Sequence, residues 1–180
     1  MSIEMTQGRL RLAGMATAFL VGMAIVQAQN PVSVAVNDVA GKSLGTVTIS
    51  KEVMGGLKFT LDLKGLPPGQ HAIGVYSTAQ CAGQSFSAVG SVFNPGHKRH
   101  GPANDPESQA GSLGNFAVDA AGASKANVVS KLLTMGEDTF SVFAAGGTAL
   151  VIHSGTDDAK TEPSGNPGTK IACGEIKKAK

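Results

Sequence analysis

The stretch His71-Ala-Ile-Gly-Val-Tyr-Ser-Thr-Ala-Gln-Cys81 decides the fold of this chain, and the sequence on both sides of it is patterned as β-structure. Before it, Phe59, Leu61 and Leu63 alternate with polar residues. An alternation with a period of two predicts a strand that has one buried and one solvated face. The sequence further predicts strands at 32–37, 45–50, 115–119, 123–129, 139–143, 148–153 and 171–176.

The connections between these strands carry turn-forming residues such as Gly55-Gly56 and Pro67-Pro68-Gly69. No segment after residue 28 keeps a helical period, although 125–135 is ambiguous. Two long segments, 77–114 and 154–170, lack strand patterning, and loops of this length are usually functional or disordered. Short strands at such intervals predict an antiparallel β-sandwich or β-barrel.

Residues 1–28 have the pattern of a secretory signal peptide. Arg9 and Arg11 form a basic region before an apolar run from Leu12 to Val26, and Val26-Gln27-Ala28 resembles a cleavage site. The run is about 15 residues long, short of the roughly 20 that span a bilayer, so we expect cleavage, with an uncleaved anchor as the alternative. Cleavage leaves one domain, 29–180, which we expect to be periplasmic or secreted and free of the membrane.

Charge and aromatic content argue against a nucleic-acid partner. The chain has a net charge of +2, one tyrosine and no tryptophan. It therefore lacks the basic stripe and the aromatic platform that nucleic-acid-binding domains use.

The two cysteines, Cys81 and Cys173, suggest one disulfide in an exported chain. Closing a loop of about 90 residues contributes on the order of 4–5 kcal/mol in the chain-entropy model. Two free thiols are the alternative.

Several short motifs resemble those of copper/zinc superoxide dismutases over nearly the whole chain after residue 28. The resemblance implies a flattened eight-stranded Greek-key β-barrel with two long loops, one that binds zinc and one that guides substrate, and it also implies the Cys81–Cys173 pair. The motifs are Gly65-Leu-Pro-Pro-Gly69, Phe93-Asn-Pro95, His100-Gly-Pro102, Gly111-Ser-Leu-Gly-Asn115, Leu150-Val-Ile-His153 and Ala172-Cys-Gly174.

The resemblance assigns the four copper ligands of the family to Gly74, Tyr76, Val92 and His153, of which His153 alone is a histidine. A stable copper site needs several imidazoles, so we expect no copper. Tyr76 could bind a metal as phenolate, but the unperturbed pKa of tyrosine is about 10, which favours a packed or hydrogen-bonding role.

The zinc ligands of the family correspond to Val92, His100, Gln109 and Ser112, and His100 alone is kept. A structural zinc site takes four nitrogen, sulfur or carboxylate ligands, so we expect no zinc. His97 could join His100 in an improvised site, but the neighbouring Lys98 and Arg99 repel a cation.

Three further positions correspond to conserved roles in that family. Asp157 matches an aspartate that links a copper-binding and a zinc-binding histidine, and here we expect it to pair with His100. His71 matches a histidine that bonds backbone. Lys170 stands where the family has an arginine that attracts superoxide, and lysine keeps the charge but loses the planar donor fork. Because charge steering serves no purpose without a metal, an ordinary surface lysine is the equal alternative.

We therefore expect an exported superoxide dismutase-like protein without catalytic residues or cofactors, a pseudoenzyme that serves as a binding or structural module. Its partner would be an unknown protein or a second copy of the chain. The alternative is a copper- or zinc-binding protein with residual dismutase or other redox activity, using His100, His153, Asp157 and Tyr76. No Gly-x-Ser-x-Gly nucleophile motif offers another catalytic centre.

Overall fold

A computed structural model describes residues 30–178, so the predicted signal peptide at 1–28 lies outside the described residues. The described chain contains eight β-strands and two short 3-10 segments, Gln84–Val89 and Ala144–Gly146. The all-β prediction is confirmed. The strands are β1 Val32–Asp38, β2 Ser43–Lys51, β3 Leu57–Lys64, β4 Gly69–Tyr76, β5 Ser112–Val118, β6 Ala123–Ser130, β7 Thr148–His153 and β8 Lys170–Ile176.

The strands form one antiparallel sheet in the order β5-β4-β7-β8-β1-β2-β3-β6. Strands that are distant in sequence are neighbours, since β4 pairs with β7 and β1 pairs with β8. The ends of the sheet approach each other, and the Ser124 hydroxyl on β6 donates to the Ala117 carbonyl on β5 at 2.7 Å. The result is the nearly closed eight-stranded barrel that the family resemblance implies.

The strands with alternating sequence bury one face. Phe59, Leu61 and Leu63 on β3 are buried, whereas Thr60 and Asp62 between them are exposed. Burying each such apolar side chain contributes about 1.5–3 kcal/mol, so this face of the sheet drives closure of the barrel.

Strands β4 and β7 are buried on both faces. Ile73 and Val75 point into the main core, while Tyr76 belongs to a second apolar cluster with Ala149 and Val151 of β7. The first long loop supplies Val89 to this second cluster, and its Val92 packs against the cluster over the outer face of the two strands. This arrangement places the outer face of β4 and β7 beneath the loops, where the sequence motifs converge.

The predicted strand at 139–143 is wrong. The structure has turns there, with an isolated bridge between Thr134 and Ser141. The Asp138 carboxylate bends the backbone by accepting from the Phe140 amide at 2.9 Å and the Thr134 hydroxyl at 2.7 Å. Val142 is buried from a turn, so its apolar character imitated a strand pattern.

Two boundaries also differ from the sequence prediction. Strand β5 begins at Ser112, inside the segment predicted as loop, because Gly74 pairs with Ser112 across a register shift. The ambiguous 125–135 segment is strand as far as Ser130 and irregular afterwards.

The Cys81–Cys173 disulfide is present, with the two Cα atoms 5.7 Å apart, and no cysteine within the described range is free. It ties the loop after β4 to β8. In the part of the chain that the structure describes, no helix combines the length and apolarity needed to cross a membrane.

His71 bonds backbone, as expected. Its Nδ1 lies 2.8 Å from the His153 carbonyl oxygen, and its Nε2 lies 2.8 Å from that of Pro67. This buried side chain therefore joins β4 to the end of β7 and to the turn before β4.

Candidate functional site

The four positions that the resemblance assigns to copper lie together on the outer face of β4 and β7. Gly74 pairs with Val151, and Tyr76 forms a bridge with Val92 of the first long loop. His153 ends β7. Gly74, Tyr76, Val92 and His153 all line one cavity of about 20 Å³, which has room for about one water molecule.

Tyr76 and His153 form a closed hydrogen-bonded pair. The His153 Nδ1 lies 3.1 Å from the Gly168 carbonyl oxygen, which can only accept, so Nδ1 carries the proton. The remaining nitrogen, Nε2, accepts from the Tyr76 hydroxyl at 2.8 Å. Both nitrogens of the imidazole are therefore engaged by the protein.

Burial keeps both members of this pair neutral. Desolvation is the main cause that lowers the pKa of His153; Lys170 adds to the effect, while the Gly168 bond and Asp157 oppose it. Desolvation, with the negative charge of Asp157, raises the pKa of Tyr76 to about 12. Phenolate is the form of tyrosine that would bind a metal, and the fold disfavours it at neutral pH.

The residues present do not fit a copper ion. Gly74 has no side chain and Val92 offers only methyl groups. The lone pair of His153 Nε2 is taken up by Tyr76. A Cβ atom added at Gly74 would lie 3.0 Å from the Gly111 carbonyl oxygen, so the backbone leaves little space for a ligand there.

His100 and Asp157 form a second closed pair, as the sequence predicted. The His100 Nε2 lies 2.7 Å from the Asp157 carboxylate, and the His100 side chain is 0% exposed. The Ser112 hydroxyl lies 3.3 Å from the His100 Nδ1 and 3.5 Å from the Gln109 side-chain oxygen. These polar groups satisfy one another beneath the first loop.

Gly165 of the second loop packs directly against the His100–Asp157 pair. A Cβ atom added at Gly165 would lie 1.9 Å from the Asp157 carboxylate and 2.7 Å from the His100 Nε2. Gly165 has a φ of +76°, a conformation that glycine adopts without strain. The close approach leaves no space between the loop and the pair.

The family's zinc site does not fit either. Within 30–178, one group could bring metal ligands together: His100, Asp157 and Asp158, whose donor atoms lie within 4.8 Å of one another. His97 is not part of it. Hydrogen bonds, first of all from the Thr161 hydroxyl, lower the pKa of Asp158 to about 2. Three ligands, two of them already hydrogen-bonded to each other, fall short of the four of a structural zinc site.

A larger cavity of about 840 Å³ opens beside the Tyr76–His153 pair, between the two loops. The Lys170 ammonium lies 5.0 Å from the centroid of the Tyr76 ring at its wall. Burial lowers the pKa of Lys170. Serine and threonine hydroxyls from both loops line the cavity, and sequence patterns gave no sign of their convergence.

Comparisons with known proteins identify the family of this chain. The family described as copper/zinc superoxide dismutase matches residues 43–176. Superoxide dismutase [Cu-Zn] 2 of Aquifex aeolicus is 40% identical over 129 residues, which cover 70% of this chain and 75% of that protein. The superoxide dismutase-like protein YojM of Bacillus subtilis is 33% identical over 148 residues, covering 76% of this chain and 70% of that one.

Solved structures show the same relationship. A superoxide dismutase-like protein from Bacillus subtilis is 30% identical with a TM-score of 0.75, covering 80% of this chain and 97% of that chain. The Cu/Zn superoxide dismutase from Brucella abortus is 25% identical with a TM-score of 0.69, covering 82% of this chain and 100% of that chain. The chain therefore belongs to the copper/zinc superoxide dismutase family.

Proposed function

We propose that this protein is an exported member of the family that does not dismutate superoxide and serves as a binding or structural module. One observation carries the proposal: the Tyr76 hydroxyl engages His153 Nε2, the one imidazole kept among the copper positions. The other two positions, Gly74 and Val92, offer no donor atom. Without several imidazoles around it, copper is not held in a site that can cycle between oxidation states.

A relative supports the assignment of these positions. Variants of the Bacillus subtilis superoxide dismutase-like protein have been solved in which histidine replaces a proline, or both a tyrosine and that proline. The two replaced residues are separated along that chain by the same number of positions as Tyr76 and Val92 here. This equal spacing is what we expect if that tyrosine corresponds to Tyr76 and that proline to Val92.

The Cys81–Cys173 bond supports export. Structural disulfides form and persist in oxidising compartments such as the bacterial periplasm, and they are rare in the reducing cytosol. Residues 1–28 supply the predicted signal.

Metal content and dismutase activity test the proposal together. The protein is purified from an oxidising compartment, loaded with copper and zinc, freed of loose metal and assayed for superoxide dismutation. A copper/zinc dismutase treated in the same way is the control. We expect activity at the background of free metal, and activity at a substantial fraction of the control would contradict the proposal.

Metal binding with residual redox chemistry is the second candidate, and the approach of His100, Asp157 and Asp158 favours it. Zinc titration of the wild type and of His100→Gln tests the metal-binding part of this candidate, since zinc itself has no redox chemistry. Zinc bound in the wild type and lost in His100→Gln would favour this candidate. His97→Gln is the matched control, because His97 is exposed and lies outside the group.

A further inference from the structure

The cavity of about 840 Å³ between the two loops has the size of a small-molecule site. Pockets that bind drug-sized ligands have volumes of about 300–1,000 Å³. Residues on its walls come from β4, the end of β7, both long loops and the start of β8. It adjoins the water-sized cavity at Gly74, since Tyr76, Val92, His153 and Ser164 line both.

The lining of this cavity carries a positive charge and no negative charge. Its lining includes Lys170 and contains neither aspartate nor glutamate. Within residues 30–178, no carboxylate oxygen lies within 4.0 Å of the Lys170 ammonium. The π-face of Tyr76 is the group that the structure places against this cation, and such a contact leaves its N–H donors free for an anion.

The remaining walls combine hydroxyl groups with apolar surface. The imidazole of His153 is already engaged by Tyr76 and Gly168, so it adds no free donor. A ligand that matches these walls has one anionic group and a body that is partly apolar and partly able to form hydrogen bonds. The hydroxyl-bearing residues are Ser77, Ser85, Ser91, Ser164 and Thr169, and the apolar ones are Val92, Phe93, Pro95 and Pro163.

We propose that this cavity binds a small organic acid, with its carboxylate against the Lys170 ammonium and its body between the hydroxyl and apolar walls. The inference rests on the proposed function, since it names the ligand class of a binding module. A carboxylate fits better than a phosphate because the lining holds one lysine and no arginine. The single negative charge of a carboxylate matches one ammonium group, whereas a phosphate monoester carries a charge of about −1.5 to −2 at pH 7 and calls for more than one cation.

Titration of the folded protein with benzoate tests the inference, with benzamide as a neutral probe of nearly the same shape. Backbone amide resonances report where each probe binds. We expect benzoate to shift the amides of Ser91, Thr169 and Lys170 along a saturable curve. Benzamide should bind at least about tenfold more weakly, because it lacks the charge-assisted hydrogen bond.

Three variants assign the effect to Lys170. We expect Lys170→Gln to weaken benzoate binding by about tenfold or more, and Lys170→Arg to restore most of it, since the positive charge is kept. Lys64→Gln is the matched control: it removes one positive charge from an exposed residue outside the cavity and should leave binding unchanged. The amide spectra also show whether each variant is folded.

Equal binding of benzoate and benzamide would overturn the inference, as would unchanged benzoate binding in folded Lys170→Gln. Shifts that never saturate, or that lie away from the cavity, would also overturn it. The metal content of the same sample separates this failure from that of the proposed function. Lack of benzoate binding in a metal-free, inactive protein refutes the ligand class alone, whereas a loaded and active copper site refutes the proposed function.

Discussion

Tyr76 and His153 lie on neighbouring strands, and the hydrogen bond between them fixes which nitrogen of the imidazole carries a proton. The Gly168 carbonyl accepts a hydrogen bond from the protonated Nδ1, so the lone pair of Nε2 faces the Tyr76 hydroxyl. Leaving Nε2 without a partner would cost about 1–3 kcal/mol, the usual penalty for a buried unsatisfied group. The Tyr76 hydroxyl therefore occupies the lone pair of His153 Nε2 that a metal ion would need.

The pair predicts a pH dependence of stability. The pKa of His153 is lowered from its usual value of 6.5 in the folded protein, mainly by burial, so the unfolded state binds the proton more readily. His153 therefore contributes stability that is present above pH 6.5 and lost as the pH falls through the lowered folded pKa. We expect the free energy of unfolding to fall more steeply below pH 6.5 in the wild type than in His153→Gln.

Urea unfolding of both proteins at several pH values measures this difference. His97→Gln is the control for loss of an exposed histidine and should follow the wild type. Parallel curves for the wild type and His153→Gln would show that His153 makes no such contribution.

The strands differ in how far sequence alone could predict them. Strand β3 alternates between buried and exposed residues, so a period of two identifies it. Strands β4 and β7 are buried on both faces, and family motifs rather than periodicity indicated their role. The strand predicted at 139–143 is wrong because Val142 is buried although it lies in a turn, and Asp138 stabilises that turn by accepting from the Phe140 amide.

The sequence could predict which residues lie at the site, but it could predict few of the contacts between their side chains. The His100–Asp157 pair followed from the family's aspartate, and the structure confirms it. The Tyr76–His153 bond joins residues 77 positions apart, and it depends on side-chain orientations that a sequence pattern does not encode. The same holds for Lys170 lying over the Tyr76 ring, because it requires β4 and β8 to flank β7.

The Cys81–Cys173 disulfide links the loop after β4 to strand β8. Cys173 is buried on β8 and packs in the second cluster with Tyr76, while Cys81 holds the loop that covers it. We expect Cys81→Ala to lower the free energy of unfolding by roughly 2–5 kcal/mol, the range for removing a native disulfide from a small secreted domain. Urea unfolding measures the loss.

Wild-type protein unfolded in the presence of a thiol reductant is the control, and it should lose a similar amount. Free thiols found by alkylation of the native, unreduced protein would contradict the pairing. A loss below about 1 kcal/mol would show that the loop is held by packing instead.

The whole barrel is held by two apolar clusters. Tyr76 and Val92, at positions that the resemblance assigns to copper, belong to or pack against the second of them. Buried apolar side chains contribute about 1.5–3 kcal/mol each, so packing here supplies stability at positions that bind metal in the family. Packing and one disulfide thus both stabilise the fold of this chain.

Metal removal tests this view of the whole molecule. A ligand that binds the native state raises its stability, so a chelator lowers the melting temperature of a protein that depends on metal. We expect EDTA to change the melting temperature of this protein by no more than about 1 °C. A larger drop, abolished in His100→Gln, would reveal a site at His100, Asp157 and Asp158.

Rebuilding the copper site tests the residue assignments of the entire barrel. Gly74→His, Tyr76→His and Val92→His would place three imidazoles beside His153, and loss of the tyrosine hydroxyl would free its Nε2. We expect the triple variant to bind copper measurably, as metal analysis and electron paramagnetic resonance would show. Adding Gln109→His and Ser112→Asp would complete the family's zinc set with His100.

We expect lower stability in the triple variant, because a side chain at Gly74 meets the Gly111 carbonyl at 3.0 Å and overpacking typically costs about 1–3 kcal/mol. The double variant of Tyr76→His and Val92→His keeps Gly74 and provides three imidazoles if the triple variant does not fold. The same double variant with His153→Gln is the matched control and should bind copper more weakly. A folded double or triple variant that binds no more copper than the wild type would show that these positions do not surround a common metal position. Our assignment of the site would then be wrong.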